Sequence, residues 1–536
     1  IHDALAGDDV PPSRADVIIL SDLPRAADYL DDAPGQSLRD LAQRAHLVAA
    51  RPAPGVENIQ IAAVRPHRRL VLADRAAPGV GVEIELRRFD RAAAEARVNL
   101  VLELLDDDGQ PLAQQRREQR LAANQHTVTV NLSLPIDRDR LLEPGEPGRM
   151  LALRARVESA SQSTALVDDD ARYALFELRR SLAVGLVTDA PRRPADGDLA
   201  PVQWLTLALA PFDAGPPSIE IRAIDPRDLQ SSALDELDAA IVLRPDSLGD
   251  AAWAELAGYA RGGGVVWVFP PAEPVAPAWA ASLRSAFELD WQFASELAEL
   301  APDVERWRVD TETAAPAPLR LLAPDWASLL RPVRVSRHLP IGVASEGERW
   351  IALAAAPAGD DAPRAAPALL AGRDVGRGVI IVAAVSPTTS WTNLPTRPAF
   401  VALVHETLRG VLGDARAGRA LEAVAGDRPA LDEPWTGVDR LARLTAEPDD
   451  ADALLVRERE GERTLDAPLR RPGVYRPDAA NGPLRLVVNV DADAGDTLAA
   501  GEQRVEGWLN GMGAWAWLDE EHPGALFARE PERVNL

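Results

Sequence analysis

The chain has 536 residues, 46% of them apolar and 26% charged, and carries a net charge of −25. That length predicts about three or four domains, and the acidic balance leaves no extended basic face, which argues against nucleic acid as a partner. It contains no cysteine and no lysine, so thiolate nucleophiles, disulfides, zinc–sulfur sites, Schiff bases and a phosphate-loop lysine are all excluded.

From the amino end, the run Asp-Val-Ile-Ile-Leu at 16–20 is a buried-type strand ending in Ser21-Asp22. Ser37 can cap a helix over 39–46, and another strand begins at 47–50. Residues 1–56 therefore read as half of an α/β sheet, too little for a core by itself. Within 57–180 the period changes to two: 80–86, 98–104 and 127–134 alternate apolar with polar, and Asp108-Gly109 marks a hairpin turn. An antiparallel β-sandwich is predicted there.

Residues 181–413 alternate strand and helix. Strands are predicted at 182–187, 219–224, 239–243 and 265–269, with helices at 202–210, 229–237 and 251–259. A Pro- and Trp-rich insertion covers about 270–349, and strands at 350–355 and 379–385 precede a last helix over 401–412. Such alternation predicts a doubly wound, mostly parallel sheet. Residues 414–495 carry short strand-like runs between Pro-Gly and Asn-Gly turns, which predicts a small second sandwich. The tail, 496–536, holds Trp508, Trp515 and Trp517, which suit either a membrane interface or packing on the last sandwich. No run approaches the roughly 20 apolar residues of a membrane span, and there is no signal peptide. The chain opens at Ile1 rather than methionine, so targeting or anchoring segments are expected outside it.

Several stretches carry a likeness to a known family: Val17-Ile-Ile-Leu-Ser-Asp-Leu-Pro24, Glu57-Asn-Ile-Gln-Ile61, Asp168-Asp-Asp-Ala-Arg-Tyr173, Tyr259-Ala-Arg-Gly-Gly-Gly264 and above all Thr389-Ser-Trp-Thr-Asn-Leu-Pro-Thr-Arg-Pro-Ala-Phe400. Pro472-Gly-Val-Tyr475 with Val487-Val-Asn-Val490 adds to them. Their order resembles the large bacterial membrane proteins with a BatA-type (aerotolerance regulator) N-terminal double-transmembrane region. The resemblance implies a partial von Willebrand factor A-like segment at 1–56, an immunoglobulin-like β-sandwich at 57–180, a class I glutamine amidotransferase-like, flavodoxin-like α/β domain at 181–413, and the small sandwich at 414–495. It also implies a membrane-anchored protein whose soluble part is periplasmic, with a membrane helix following Leu536.

Under that resemblance Ser21-Asp22 corresponds to one loop of a metal-ion-dependent adhesion site, but the Asp-x-Ser-x-Ser that supplies most of its ligands is missing, so Asp22 alone cannot complete a magnesium or calcium site. In a doubly wound sheet, ligands bind outside the carboxyl ends of the strands, where this chain offers Asp189, Asp225, Asp246 and Ser386. Those aspartates can either hold a divalent ion or cap the helices that follow. Amidotransferases of this fold use a cysteine on a sharp strand-to-helix turn; here 265–269 runs into Pro270-Pro271 and no cysteine exists.

The stretch from Ser386 to Phe400 raises a Ser–His nucleophile with His405. Helical phase opposes it: Phe400, Leu403, Val404, Leu408 and Val411 share a stripe, and His405 lies about 120° off its centre. Trp391 and Leu394 then read as plugs of a structural clasp. Asp168-Asp169-Asp170 lacks the glycine and spaced oxygens of a calcium loop and reads as a solvated turn. The expectation is a non-catalytic extracytoplasmic scaffold acting through protein partners, without a cofactor. Its alternative is a small-ligand or divalent-metal sensor or hydrolase on the aspartate-lined rim.

Overall fold

The computed structural model describes residues 16–19, 30–44, 46–49, 58–72, 79–89, 95–159, 167–189, 198–211, 218–273, 275–299, 307–354, 366–416, 420–431, 435–444, 454–459, 462–478, 484–496, 498–513 and 515–518. It is a mixed α/β chain built on several separate sheets. Strand β1 (Asp16–Ile19) pairs in parallel with β2 (His46–Ala49), and helix α1 (Gln36–Arg44) connects them. Asp22 lies outside the described residues.

Two sheets then face one apolar core. The first is β3 (Asn58–Pro66), β5 (Gly79–Phe89) and β8 (Thr127–Pro135); the second orders β4 (Leu70–Leu72), β10 (Ala171–Arg179), β9 (Gly148–Ser159), β6 (Ala96–Leu105) and β7 (Pro111–Leu121). The period-two reading has a direct physical counterpart in β8, where Val128, Val130, Leu132 and Leu134 are buried and the residues between them exposed. In β6 the last six residues are all buried, because the outer face of its sheet is covered too. Leu105, Met150, Ala152 and Leu175 share a small core with Val474 and Val487 of the C-terminal sheet.

The α/β part is a seven-stranded sheet in the order β12 (Ile219–Ile224), β11 (Leu182–Val187), β13 (Ala239–Val242), β14 (Val265–Val268), β23 (Gly378–Ala383), β22 (Ala368–Val375), β21 (Arg349–Ala352). From β12 to β23 neighbours are parallel, while β22 runs antiparallel to β23 and to β21. Helices α2 (Pro201–Leu209) and α5 (Pro398–Ala415) pack on one face, and α3 (Asp250–Arg261) and α4 (Trp279–Phe287) on the other. The predicted helix at 229–237 is only one turn, Ser231–Leu234. Within the insertion, β15 (Gln292–Phe293), β16 (Ala298–Glu299) and β17 (Trp307–Arg308) pair antiparallel with β20 (Ile341–Gly342), β19 (Arg337–His338) and β18 (Arg334–Val335) respectively, a nested set of short ladders.

The C-terminal part covers the region expected to form a small sandwich. It is one six-stranded sheet, β24 (Ala420–Val424), β29 (Arg485–Asn489), β28 (Gly473–Pro477), β25 (Arg440–Leu444), β26 (Leu454–Arg459) and β27 (Glu462–Leu465), with β24 parallel to β29. The tryptophan-bearing tail packs on the amino-terminal segment rather than on the C-terminal sheet. Helix α6 (Glu502–Asn510) and strand β30 (Trp515–Trp517) return to the amino end, where β30 pairs in parallel with β2. Leu30, Leu47, Ala49, Val505, Leu509 and Met512 form a common core, with Trp508, Trp515 and Trp517 packed against it. The strand and helix at 16–49 could not bury their apolar faces alone, and a segment more than 450 residues away in sequence completes them.

Candidate functional site: the carboxyl rim of the parallel sheet

In the order β12-β11-β13-β14-β23 the chain steps outward from β11 to β12 and then crosses back to β13. The direction of winding therefore reverses between β11 and β13, the place where such sheets open a crevice at their carboxyl ends. Asp189 follows β11, and Arg244 and Asp246 follow β13. The Arg244 guanidinium spans the gap. It forks onto Asp246 through Nε–Oδ1 and Nη2–Oδ2, both 3.0 Å, and reaches Asp189 Oδ2 with Nη1. Hydrogen bonds and charge from Asp246, with Asp189 adding to them, raise the guanidinium pKa further against a smaller opposing effect of burial. The crevice is thus bridged by a cation of the protein itself.

The other two rim residues do not join them. Asp225 caps the turn after β12, accepting from Arg227 N–H at 2.9 Å. Ser386 is fully buried, and its Oγ has no hydrogen-bond partner among the described residues. It therefore makes no bond to His405, whose Nε2 instead meets the Ala208 carbonyl at the end of α2, 2.9 Å away. His405 does lie off the apolar stripe of α5, yet it is half-buried between two helices. The Ser–His pair is not formed.

The loop after β23 fastens the rim. Trp391 is completely buried and donates from Nε1 to the Ala272 carbonyl at 2.9 Å, while Arg337 lies 5.6 Å over its ring. Asn393 accepts from Arg334 N–H at 2.8 Å and donates to the Pro332 carbonyl at 3.1 Å, and Thr389 N–H reaches Asp198 Oδ2 at 2.9 Å. Burial works against ionisation of Asp198, but the bonds from Thr389, Leu199 N–H and Trp204 outweigh it and hold the carboxyl below the usual range. Trp391→Ala is expected to cost about 3–5 kcal/mol, and Trp391→Phe only about 1 kcal/mol for the lost indole bond; urea denaturation of the two variants measures the difference.

At the opposite, amino end of the strands lies a cavity of about 930 Å³ bordered by Asp238, Tyr259, Gly264, Arg377 and Arg416. The Tyr259 ring lies over Gly264, where any side chain would collide with it, and its hydroxyl donates to the Leu237 carbonyl at 3.1 Å. Burial, with the Asp238 charge added, pushes that hydroxyl above its ordinary pKa. Two acids and two arginines interlock beside it: Arg179 reaches Asp238 at 2.9 Å, and Arg416 reaches both Asp238 and Glu177. Asp238 Oδ2 also accepts from Ala183 N–H at 2.8 Å. No motif announced this cluster, because Glu177 and Arg416 belong to different parts of the chain.

His338, buried with its ring edge-on to Trp307, is pulled down to about 4 by burial and so remains neutral at neutral pH. Among the described residues no three His, Cys, Asp or Glu side chains are disposed to share a metal ion. No helix among them is long and apolar enough to cross a membrane.

No family model matches the chain, and no curated protein matches it. Solved structures that it resembles include a putative ThuA-like protein from Bacteroides uniformis ATCC 8492, with 12% identity over 43% of this chain and 90% of that one and a TM-score of 0.30. Others are β-galactosidases from Rahnella sp. R3, with 16% identity over 43% of this chain and 32% of that one and a TM-score of 0.29, and from Bacillus circulans sp. alkalophilus, with 11% identity over 55% and 35% and a TM-score of 0.27. The chain spans about a third of the length of those β-galactosidases. Likenesses at these TM-scores assign neither a family nor an activity to this chain.

Proposed function

We propose that this chain is a non-catalytic, multidomain scaffold that works through protein partners. The observation that carries the reading is the Asp189–Arg244–Asp246 bridge, which spends the polar groups of the switch-point crevice on one another. A fold of this kind that worked on a small ligand would leave such groups facing an open crevice. The absence of cysteine adds to it, since the amidotransferase nucleophile cannot be made.

In finer terms, we read 1–56 as a von Willebrand A-like segment, 57–180 as an immunoglobulin-like sandwich and 181–413 as a glutamine amidotransferase-like domain. The strand order of the last, which is that of flavodoxin-like sheets, supports that reading. The resemblance to BatA-type proteins supports a place on the extracytoplasmic side of a bacterial membrane, anchored through segments outside this chain. The net charge of −25 favours protein rather than nucleic-acid partners.

The competing reading, a metal or ligand sensor or hydrolase at the rim, predicts that magnesium or calcium raises the thermal midpoint and that Asp189→Ala abolishes the rise, because an ion held by the native state must stabilise it. The scaffold reading predicts that Asp189→Ala leaves any ion response unchanged. A response lost in that variant would replace the scaffold with the sensor.

A further inference from the structure

The turn Asp168-Asp169-Asp170 lacks, in its own sequence, the glycine and spaced oxygens of a calcium loop. The fold brings both to it from far along the chain. The loop after β29, Asp491-Ala-Asp-Ala-Gly-Asp496, lies against Asp169 and the start of β3. Asn58, completely buried, donates from Nδ2 to Asp169 Oδ2 at 2.6 Å and to the Gly495 carbonyl at 3.0 Å. Gln60 donates to the Ala492 carbonyl. Gly495 approaches so closely that a β-carbon there would strike Gln60 Oε1 and come within 2.9 Å of Asp169 Oδ2.

This seam has an excess of buried acceptors. Asn58 Oδ1 and Asp169 Oδ1 are both buried without a hydrogen-bond partner, although Asn58 is 0% and Asp169 only 4% exposed. Orphaned oxygens at such depth are uncommon, and each is costly. Asp168 adds negative charge to Asp169, and the facing loop carries Asp491, Asp493 and Asp496 in its sequence. The nearby cations are engaged elsewhere. Arg87 pairs with Asp493 at 2.9 Å, and Arg172 donates to the Val490 and Ile61 carbonyls at 3.1 and 3.4 Å.

We propose that this seam binds a calcium-class cation, with the Asp169 carboxylate, the Asn58 amide oxygen and the Gly495 carbonyl among its ligands. Calcium takes carboxylate, amide and main-chain oxygens together in flexible geometry, so the site needs no cluster of three carboxylates. The Asn58 amide group now holds together the oxygens that the ion would hold, and turning that amide over presents Oδ1 to the same place. A bound ion would tie the first β unit to the C-terminal sheet across more than 300 residues of sequence. With a single carboxylate at its centre the site belongs to the weak class, of about millimolar affinity.

The test uses the full chain and calcium chloride, with magnesium chloride and sodium chloride at matched ionic strength as controls. In about 5–10 mM calcium near neutral pH the thermal midpoint is expected to rise by about 2 °C. The rise should vanish in Asp169→Asn, survive in Asp189→Ala, and fade below about pH 5 as protons compete for the carboxylate. Asn58→Asp, which adds a buried charge, should start lower and recover at least twice as much with calcium, an outcome that a purely structural role for Asn58 does not produce. An unresponsive wild type, an equal rise in Asp169→Asn, or an equal response to magnesium overturns the proposal. A rise lost only in Asp189→Ala also overturns it, and puts the ion at the rim of the α/β sheet instead.

Discussion

Replacing Arg416 with alanine is expected to lower stability by about 3–5 kcal/mol, the cost of leaving buried carboxylates without their cation. Its guanidinium is largely buried and touches Glu177, the last acid of β10, and Asp238, just before β13. Burial opposes the charge on Arg416, but Glu177 and Asp238 outweigh it and raise the guanidinium pKa. Removing it leaves those two acids to Arg179 among the described residues' ion pairs. Arg416→Lys, which keeps the charge but loses the planar fork, should recover roughly half of the loss. Because the cluster joins the sandwich to the α/β sheet, the alanine variant should also broaden or split the urea transition, with a lower apparent m-value. A single transition of unchanged slope with a loss under about 1 kcal/mol would mean that the cluster contributes no more than an exposed ion pair.

The second large effect depends on pH. Burial, opposed in part by the Asn58 bond and reinforced by the Asp168 charge, pushes the Asp169 carboxyl up to about 6 from an ordinary 3.8. A group whose folded pKa is raised stabilises the fold in its protonated form. That contribution is fully present below about pH 4 and is lost as pH rises through about 6. In the absence of divalent cations, Asp169→Asn should therefore be more stable than the wild type above about pH 7, by up to about 3 kcal/mol. The two should converge towards about pH 4. Urea midpoints measured across that range in EDTA give the comparison, and a difference that does not change with pH would remove Asp169 as the titrating group.

Much of the local structure is legible in the sequence. The strand at Ile219–Ile224 ends where the apolar run ends. Asp225 caps the next turn as its residue type suggests. Pro398 begins α5 because its fixed φ suits a first helical turn. The stripe of Phe400, Leu403, Val404, Leu408 and Val411 is buried as its phase requires. These are decisions made within a few residues, where backbone preference and periodicity act. Trp391 was also readable as a plug, since a large apolar ring in a polar loop has few places to go.

The rest was decided by tertiary structure, because periodicity says which face is buried and not what covers it. The tryptophans at 508, 515 and 517 were readable as apolar, but not as the cover for β2 at the other end of the chain. Asp189 and Asp246 were placed on one rim by the sequence, while the arginine between them and the separate role of Asp225 follow from how β11, β12 and β13 are ordered. Asp169 read as a solvated turn because its own neighbours are polar; its burial comes from a loop that arrives more than 300 residues later. The sequence by itself determined most of the strands and helices, the Asp225 cap, and the chemistry that is missing for want of cysteine and lysine. Only the fold decided which distant segments share a core or a buried charge, since the entropy of closing a long loop grows slowly with its length and does not select one partner over another.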